Sequence, residues 1–405
     1  MINPLQIAAF RRFLLGRVLG VLGRQIVSIT IGWEIYERTG STWALGFVGL
    51  VQVLPVLFLA IPAGLMVDQR DRRLIAAFSQ LAFATMSSLL ALQSRLEAPL
   101  WVLYLVLLGS GAIQAFSAPA SSSLLPRLVP QEALGQANAW SSTVFNLAAI
   151  SGPALGGFLI ALTGGAFIPY LSGVAGSFIF SMSLFSLSLQ PAPPASGPQE
   201  VKDWRAGVRF VFGSKLLLPA LTLDMLSVLF AGVTALLPVF AKDVLHVGPS
   251  GLGWLRAAPS IGAFLMAVVL TRLAPWQRPG RVLLVVVALF GVVTFLFGLS
   301  RDFYLSFGLL ALAGVLDEIS VVIRITLEQM VTPEHLRGRV SSIHYVFIGL
   351  SNELGEFESG VAAGLLGPVG AVFFGGVTTL LVVFFVAQKW PTLREVGPLK
   401  DLKPE

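Results

Sequence analysis

Twelve apolar runs, each near the twenty or so residues a helix needs to cross a hydrocarbon layer, leave this chain little freedom. They lie at roughly 12–36, 44–67, 74–94, 100–124, 137–162, 167–189, 216–243, 251–273, 281–299, 303–329, 339–365 and 369–388. Lipid offers backbone N–H and C=O groups no partner, so runs of this length must satisfy their hydrogen bonds internally, as helices. Charged residues make up only 12% of the 405 residues and hydrophobic ones 55%; a soluble domain carries about 25% charged residues. The expected fold is therefore an all-α integral membrane protein of twelve transmembrane helices. Cysteine is absent, which excludes disulfides, thiolate metal sites and cysteine nucleophiles. His246, His335 and His344 are far apart and show no ligand spacing, so no metal site is expected. Arg11 and Arg12 are followed by an apolar run to Tyr36 with no small-residue cleavage site. That pattern reads as a first spanning helix rather than a removed leader.

An even number of spans places both termini on one side, and the basic residues say which. Of 27 Lys and Arg, twenty fall in one set of connections, from Arg11, Arg12 and Arg17 through Arg70, Arg72 and Arg73 to Lys403. The opposite set holds Arg38, Arg95, Lys242 and Arg301, and Arg24, Arg256 and Arg324 lie within spans. The positive-inside bias then makes both termini cytoplasmic. The net charge of +6 is a topology signal, and no nucleic-acid partner is expected.

Three segments organise the chain: an N-terminal six-helix half (1–189), a linker (190–215), and a C-terminal six-helix half with a short tail (216–405). The linker opens with QPAPPASGP. Val201, Trp204, Val208, Val211 and Phe212 then fall on one helical face, and Lys202, Arg205 and Arg209 on another, the pattern of a helix lying on a membrane surface. The halves repeat. Sliding 111–157 forward by 203 places Gly111 on Gly314, Pro130 on Pro333, Gly135 on Gly338 and Gly157 on Gly360. Parallel six-span repeats are a transporter signature, with the substrate site near mid-bilayer.

Charge is concentrated where it is least expected, in 314–360. This stretch carries Asp317, Glu318, Arg324, Glu328, Glu353, Glu356 and Glu358 at positions otherwise fit for lipid. Each charge at bilayer depth costs roughly 3 kcal/mol on insertion scales, so such groups pair or work. The first copy of the repeat has Gln114 opposite Asp317, Ala115 opposite Glu318 and Ser121 opposite Arg324. Asp317, Ser320, Arg324 and Glu328 share one helical face, and Arg324 with Glu328 at i, i+4 is expected to form an ion pair. Asp317 lacks such a local partner. A carboxylate shielded from water suits reversible protonation, which makes Asp317 or its neighbour Glu318 the first candidate for proton coupling and Asp224 the next. Arg24 and Arg324 are the cations that belong with these carboxylates inside the spans. Glu353 and Glu356 share a face at i, i+3 while Glu358 projects elsewhere; they either line or gate the path or form interhelical ion pairs. Glu34, ~30 Å along the first helix beside Trp33 and Tyr36, reads as an outer-interface residue. Arg17 and Arg256, near helix ends, can snorkel.

The loop after the second span reads Gly64-Leu-Met-Val-Asp68-Gln-Arg70-Asp71-Arg72-Arg73. It resembles the Gly-x-x-x-Asp-Arg-x-Gly-Arg-Arg signature of the major facilitator superfamily, with Gln69 and Asp71 as departures. Gly64 is expected to permit close helix approach, and in the family this cluster locks one conformation. Gly152-Pro153-Ala-Leu-Gly156-Gly157 in the fifth span is similar to a motif of the superfamily's exporting antiporters. Residues 39–46 and 332–339, with the linker, resemble the enterobactin-exporter-like branch of bacterial exporters, and the likeness runs over essentially the whole chain. The arginine often found in the fourth span of proton-coupled exporters is missing from 105–114.

The resemblance implies a major facilitator fold whose first, fourth, seventh and tenth helices line a central cavity. It implies a monomeric secondary exporter in the bacterial cytoplasmic (inner) membrane, surrounded by lipid. Such a protein moves an amphipathic small molecule, such as a siderophore or drug, by alternating access. The proton gradient is its driving force and it needs no cofactor. No Gly-x-x-x-x-Gly-Lys loop is present to use ATP. A divalent-metal or lysolipid transporter on the same fold is the alternative. A membrane-embedded lipid enzyme is remote, because neither a Gly-x-Ser-x-Gly elbow nor a His-Glu-x-x-His motif occurs.

Overall fold

The computed structural model describes residues 3–187, 204–274 and 276–398, with the side chains of Ile61, Leu65, Asp68 and Trp204 outside that description. Val201 and Lys202 of the expected amphipathic helix also lie outside the described residues. The spanning helices of the first part are α1 (Ala8–Thr39), α2 (Thr42–Gln69), α3 (Arg72–Arg95), α4 (Leu100–Ser122), α5 (Leu134–Thr163) and α6 (Phe167–Phe185). The short α7 (Trp204–Gly213) follows, then α8 (Leu217–Ala231), α9 (Leu237–Val239), α10 (Gly248–Leu270), α11 (Pro279–Leu299), α12 (Phe303–Val331), α13 (Arg337–Lys389) and α14 (Pro391–Glu395). Among the described residues, eleven helical stretches are long and apolar enough to cross a membrane. The last of these, within α13, contains two of the expected spans, because the chain turns at Gly367 (φ 76°, ψ 161°) immediately before Pro368. Only glycine adopts that backbone without strain, so twelve crossings remain twelve.

The seventh span departs from expectation. It is broken rather than continuous over 216–243. Helix α8 stops at Ala231, Gly232 leaves helical geometry (φ −71°, ψ 78°), and the chain continues through a 3₁₀ turn, α9 and a π-helical turn at Phe240–Val244. Pro238 supplies no N–H to a helix here, and Ser359 Oγ donates to the freed Gly232 carbonyl at 2.9 Å. Part of the apolar face of α7 packs on protein. Val211 is fully buried in the core with Leu217 and Val340, while Gly207 presses against Arg339 and Ile343. Arg205, Arg209 and Phe212 stay exposed.

The repeat is visible residue by residue. After Pro130 and Pro333, each in extended geometry, come 3₁₀ turns at Gln131–Ala133 and Glu334–Leu336, and α5 and α13 begin at Leu134 and Arg337, all 203 residues apart. Gly164, which ends α5 with φ 67°, corresponds at the same offset to Gly367.

The helices gather into two compact units. The first comprises Met1–Ser41, Leu50–Ser196 and His246–Ala257; the second comprises Thr42–Gly49, Gly197–Leu245 and Ala258–Glu405. In the first, Gly111 of α4 abuts the backbone of Gln52 of α2, and Gly157 of α5 faces Gly253 of α10. In the second, the repeat partner Gly314 of α12 abuts the backbone of Pro259 of α10, and Gly360 of α13 faces Gly46 of α2. A Cβ at Gly314 would come within 2.7 Å of Pro259 Cα. Close backbone approach through small residues is how helices associate when lipid removes the hydrophobic drive.

Glu34, near the end of α1, is enclosed by protein. It is 6% exposed and hydrogen-bonded in the first unit by Tyr170 Oη of α6 (2.6 Å) and Gln93 Nε2 of α3 (3.2 Å). Arg38 Nη1 reaches it at 3.4 Å and also donates to Gln93 Oε1 at 3.1 Å. One carboxylate thereby ties α1, α3 and α6 together.

Gly314→Val is expected to destabilise the protein by about 1–3 kcal/mol, as overpacked cores do. By contrast, Gly349→Ala, in open space on α13, should be neutral or stabilise by up to about 1 kcal/mol. Tyr170→Phe removes a charge-assisted bond from buried Glu34 and should cost about 1–3 kcal/mol. Unfolding in detergent followed by intrinsic fluorescence checks all three.

Candidate functional site

The second unit buries a connected set of charges on α8, α12 and α13. Helix α12 presents Asp317, Ser320, Arg324 and Glu328 on one stripe, as their spacing dictates. Arg324, 4% exposed, donates through Nε to the Ser320 carbonyl (3.3 Å) and hydroxyl (3.2 Å), which orients its guanidinium. Its Nη1 forms an ion pair with Asp224 of α8, itself 8% exposed, and its Nη2 stands 3.9 Å from Asp317 Oδ1. Two carboxylates thus share one guanidinium, and the cluster carries a formal charge of −1 when both are ionised. Asp224 is buried, but the Asp317 side chain is half exposed, to a small cavity. That cavity is lined by Asp224 and Ser227 of α8, Asp317 and Ser320 of α12, and Val287 and Phe290 of α11.

Arg324 and Glu328 do not pair with each other, contrary to the helical-spacing expectation. Glu328, 7% exposed, instead accepts a hydrogen bond from Ser341 Oγ and lies 2.5 Å from His344 Nδ1, both on α13. Across-helix partners win because Arg324 is drawn toward two carboxylates and Glu328 toward an imidazole and a hydroxyl. Asp317 likewise gains the partner its own helix seemed to lack. His344, which sequence spacing dismissed as isolated, is 6% exposed, and its Nε2 has no hydrogen-bond partner among the described residues. It lies within electrostatic range of Asp224. The one sequence hint was its position in the charge-rich 314–360 stretch.

Other candidates fall elsewhere. Glu318 is half-buried on α12, off the Asp317 stripe. Glu353, Glu356 and Glu358 are half-buried on α13, and the first two are engaged by neighbours. Within the second unit, α2 approaches α13 here: a Cβ at Gly49 would lie 2.9 Å from Glu356 Cβ. Arg24 belongs to the first unit, its guanidinium 5.4 Å from the centre of the Phe83 ring.

In the loop after α2, Asp71 caps α3 by accepting the Arg73 N–H at 2.9 Å, and Arg73 Nη1 donates to the Leu187 carbonyl at 2.5 Å. Arg70 is exposed and Arg72 half-buried; the Asp68 side chain lies outside the described residues. The close approach expected at Gly64 does not occur, since no described atom lies within 4 Å of a Cβ placed there. Gly152 and Gly156 press on Gln25 and Ile29 of α1, and the Pro153 carbonyl lies against Gly253. Among the described residues, no three His, Asp or Glu side chains converge as a metal site requires.

Solved structures share this architecture. A bacterial homologue of the human lysosomal transporter Spinster, inward-facing and unoccupied, superposes with a TM-score of 0.74 at 15% identity, covering 98% of this chain and 97% of the other. A bacterial homologue of the iron transporter ferroportin, also inward-facing, gives 0.67 at 17% identity over 96% and 99%. These likenesses establish the major facilitator fold. In sequence, the chain is 28% identical to the enterobactin exporter EntS of Citrobacter koseri over 98% of this chain and 96% of that protein. It is 29% identical to the EntS of Shigella boydii over 90% and 86%. The chain is a multi-pass membrane transporter with a small-molecule substrate, not an enzyme. A family model described as transmembrane secretion effector matches residues 1–398, and the chain belongs to that family of the major facilitator superfamily.

Proposed function

We propose that the protein is a proton-coupled exporter of an amphipathic small molecule such as a siderophore, working by alternating access in a bacterial inner membrane with both termini cytoplasmic. Export is supported by the enterobactin exporters to which the whole chain is similar, and the orientation by the basic residues. The observation that carries the coupling is the shared guanidinium: Arg324 faces buried Asp224 and cavity-facing Asp317 at once. One cation between two carboxylates leaves a charge of −1 at bilayer depth. A proton on Asp317 cancels it and leaves the Arg324–Asp224 pair neutral overall. A transporter that reorients more readily with this cluster neutral carries that proton through the membrane. Delivery of the proton at the cytoplasmic side as substrate leaves is antiport, with the gradient supplying the work and no cofactor required. The neighbouring Glu328–His344 pair gives a second place for a proton, toward the α12–α13 connection.

In everted vesicles energised by respiration, addition of substrate should release protons in the wild type, read as partial recovery of a quenched acridine dye. Asp317→Asn should abolish that release while leaving gradient-independent counterflow of substrate. Proton release unchanged in Asp317→Asn overturns the assignment. Arg324→Gln strands buried Asp224 and should destabilise the protein by about 3–5 kcal/mol, whereas Arg324→Gln with Asp224→Asn should recover most of that loss. Thermal unfolding in detergent distinguishes the two.

A further inference from the structure

The deepest charge of the first unit is handled differently from those of the second. Arg24 lies near the middle of α1, sixteen residues from its start and fifteen from its end. At 100° per residue, Arg17 and Ser28 share its stripe, within about 40° of it. Arg24 and Arg17 are partly accessible and Ser28 is exposed. The stripe is closed at both ends by buried residues, Phe10 and Phe13 on one side and Ile31 and Ile35 on the other. Helices α5 and α6 pack on the two flanks, through Gln25 and Ile29 against Gly152 and Gly156, and through Gly16 and Gly20 against Phe180. The other open side of α1, roughly 180° away, carries the exposed leucines Leu15 and Leu19. Lipid suits the leucine side, so the arginine side is the one that meets water.

The two guanidinium groups repel each other. Among the described residues no carboxylate lies within ion-pair distance of either, and the contacts they make are with the Phe83 and Phe13 rings at 5.4 and 5.8 Å. Every other intramembrane arginine has a partner: Arg324 has its carboxylates and Arg256 is engaged by neighbours. A cation held at mid-helix without an internal counter-ion is costly, and the cost is recovered when an anion arrives from outside.

We infer that Arg24, supported by Arg17 and the Phe83 ring, is a binding site for the anionic group of an amphipathic organic acid. This inference rests on the exporter reading for its biological role, but the binding itself does not depend on transport. The acid group, a carboxylate or an ionised phenol, accepts charge-assisted hydrogen bonds from the Arg24 guanidinium. The aromatic or aliphatic body lies on Phe83. Arg17, two turns along the same stripe, attracts the same charge on its way to Arg24.

Three probes of equal size test this on the purified full-length protein in detergent: 2-naphthoate (ionised at neutral pH), neutral 2-naphthylmethanol and cationic 2-naphthylmethylamine. Binding is read by thermal shift and by quenching of tryptophan fluorescence. Naphthoate should bind about tenfold or more tighter than the alcohol, and the amine most weakly. Arg24→Gln should abolish the naphthoate preference, Arg17→Gln should reduce it partially, and Arg24→Lys should retain part of it. Without ligand, Arg24→Gln should be at least as heat-stable as the wild type, because it removes an unpaired charge. Equal binding of naphthoate and alcohol overturns the inference. So does a preference that survives Arg24→Gln, or an unliganded Arg24→Gln protein that loses stability as if an internal pair had been broken. Substrate export that proceeds unchanged in Arg24→Gln removes this site from the exporter's cycle alone. Absent gradient-driven export in the wild type sinks the exporter reading and leaves the binding result standing.

Discussion

In hydrocarbon, a backbone polar group must find its partner within the chain, and apolar side chains gain little by leaving lipid for one another. The structure answers both constraints with long helices that touch through missing side chains. Gly111 on Gln52, Gly157 on Gly253, Gly314 on Pro259 and Gly360 on Gly46 are backbone-to-backbone approaches that any side chain would obstruct. Breaks in helical geometry occur where a local device covers the loss. The Gly367–Pro368 turn separates the two arms of α13, and Ser359 takes up the carbonyl freed at Gly232. Sites and charges are placed by this framework.

The two units treat charge in opposite ways. The second surrounds Arg324 with Asp224 and Asp317, and gives Glu328 a histidine and a serine, so that each of these charges has a partner. In the first, Glu34 is held by Tyr170, Gln93 and Arg38 at one end of α1, but Arg24 meets the Phe83 ring and, among the described residues, no carboxylate. Repeat-related helices thus share packing while differing in electrostatics, and glycine positions survive the comparison where ionisable ones do not. Gln114 stands opposite Asp317 and Ser121 opposite Arg324. Helix association needs small residues at the same places in both halves, whereas a titratable group needs to appear once.

Much of the framework was legible from residue pattern alone. Span lengths, the 203-residue repeat and the boundaries at Pro130 and Pro333 came through with little error, since hydropathy and proline act locally along the chain. The charged face of α12 was also legible, because helical periodicity places Asp317, Ser320, Arg324 and Glu328 together. Their partners were not. Spacing on one helix favours an Arg324–Glu328 pair, and nothing in the pattern shows that Asp224, a hundred residues earlier, stands within reach of Arg324. His344 reads as isolated, and the partners of Glu34 are hidden in the sequence, for the same reason: both are met from other helices. Gly64, expected at a close contact, has no described atom within 4 Å of a Cβ placed on it.

Residue order alone is enough to place twelve membrane crossings, two related halves, and one stretch that carries charge where lipid would exclude it. These are properties of composition and period, and each residue contributes to them independently of its distant neighbours. Folding in three dimensions settles which carboxylate meets which cation, that Asp317 is far more exposed than Asp224 in the cavity they both line, and that Arg24 meets a ring and, among the described residues, no acid. Ionic partnership depends on distances of a few ångströms between helices far apart in the chain. Those distances are set by where glycines let backbones approach.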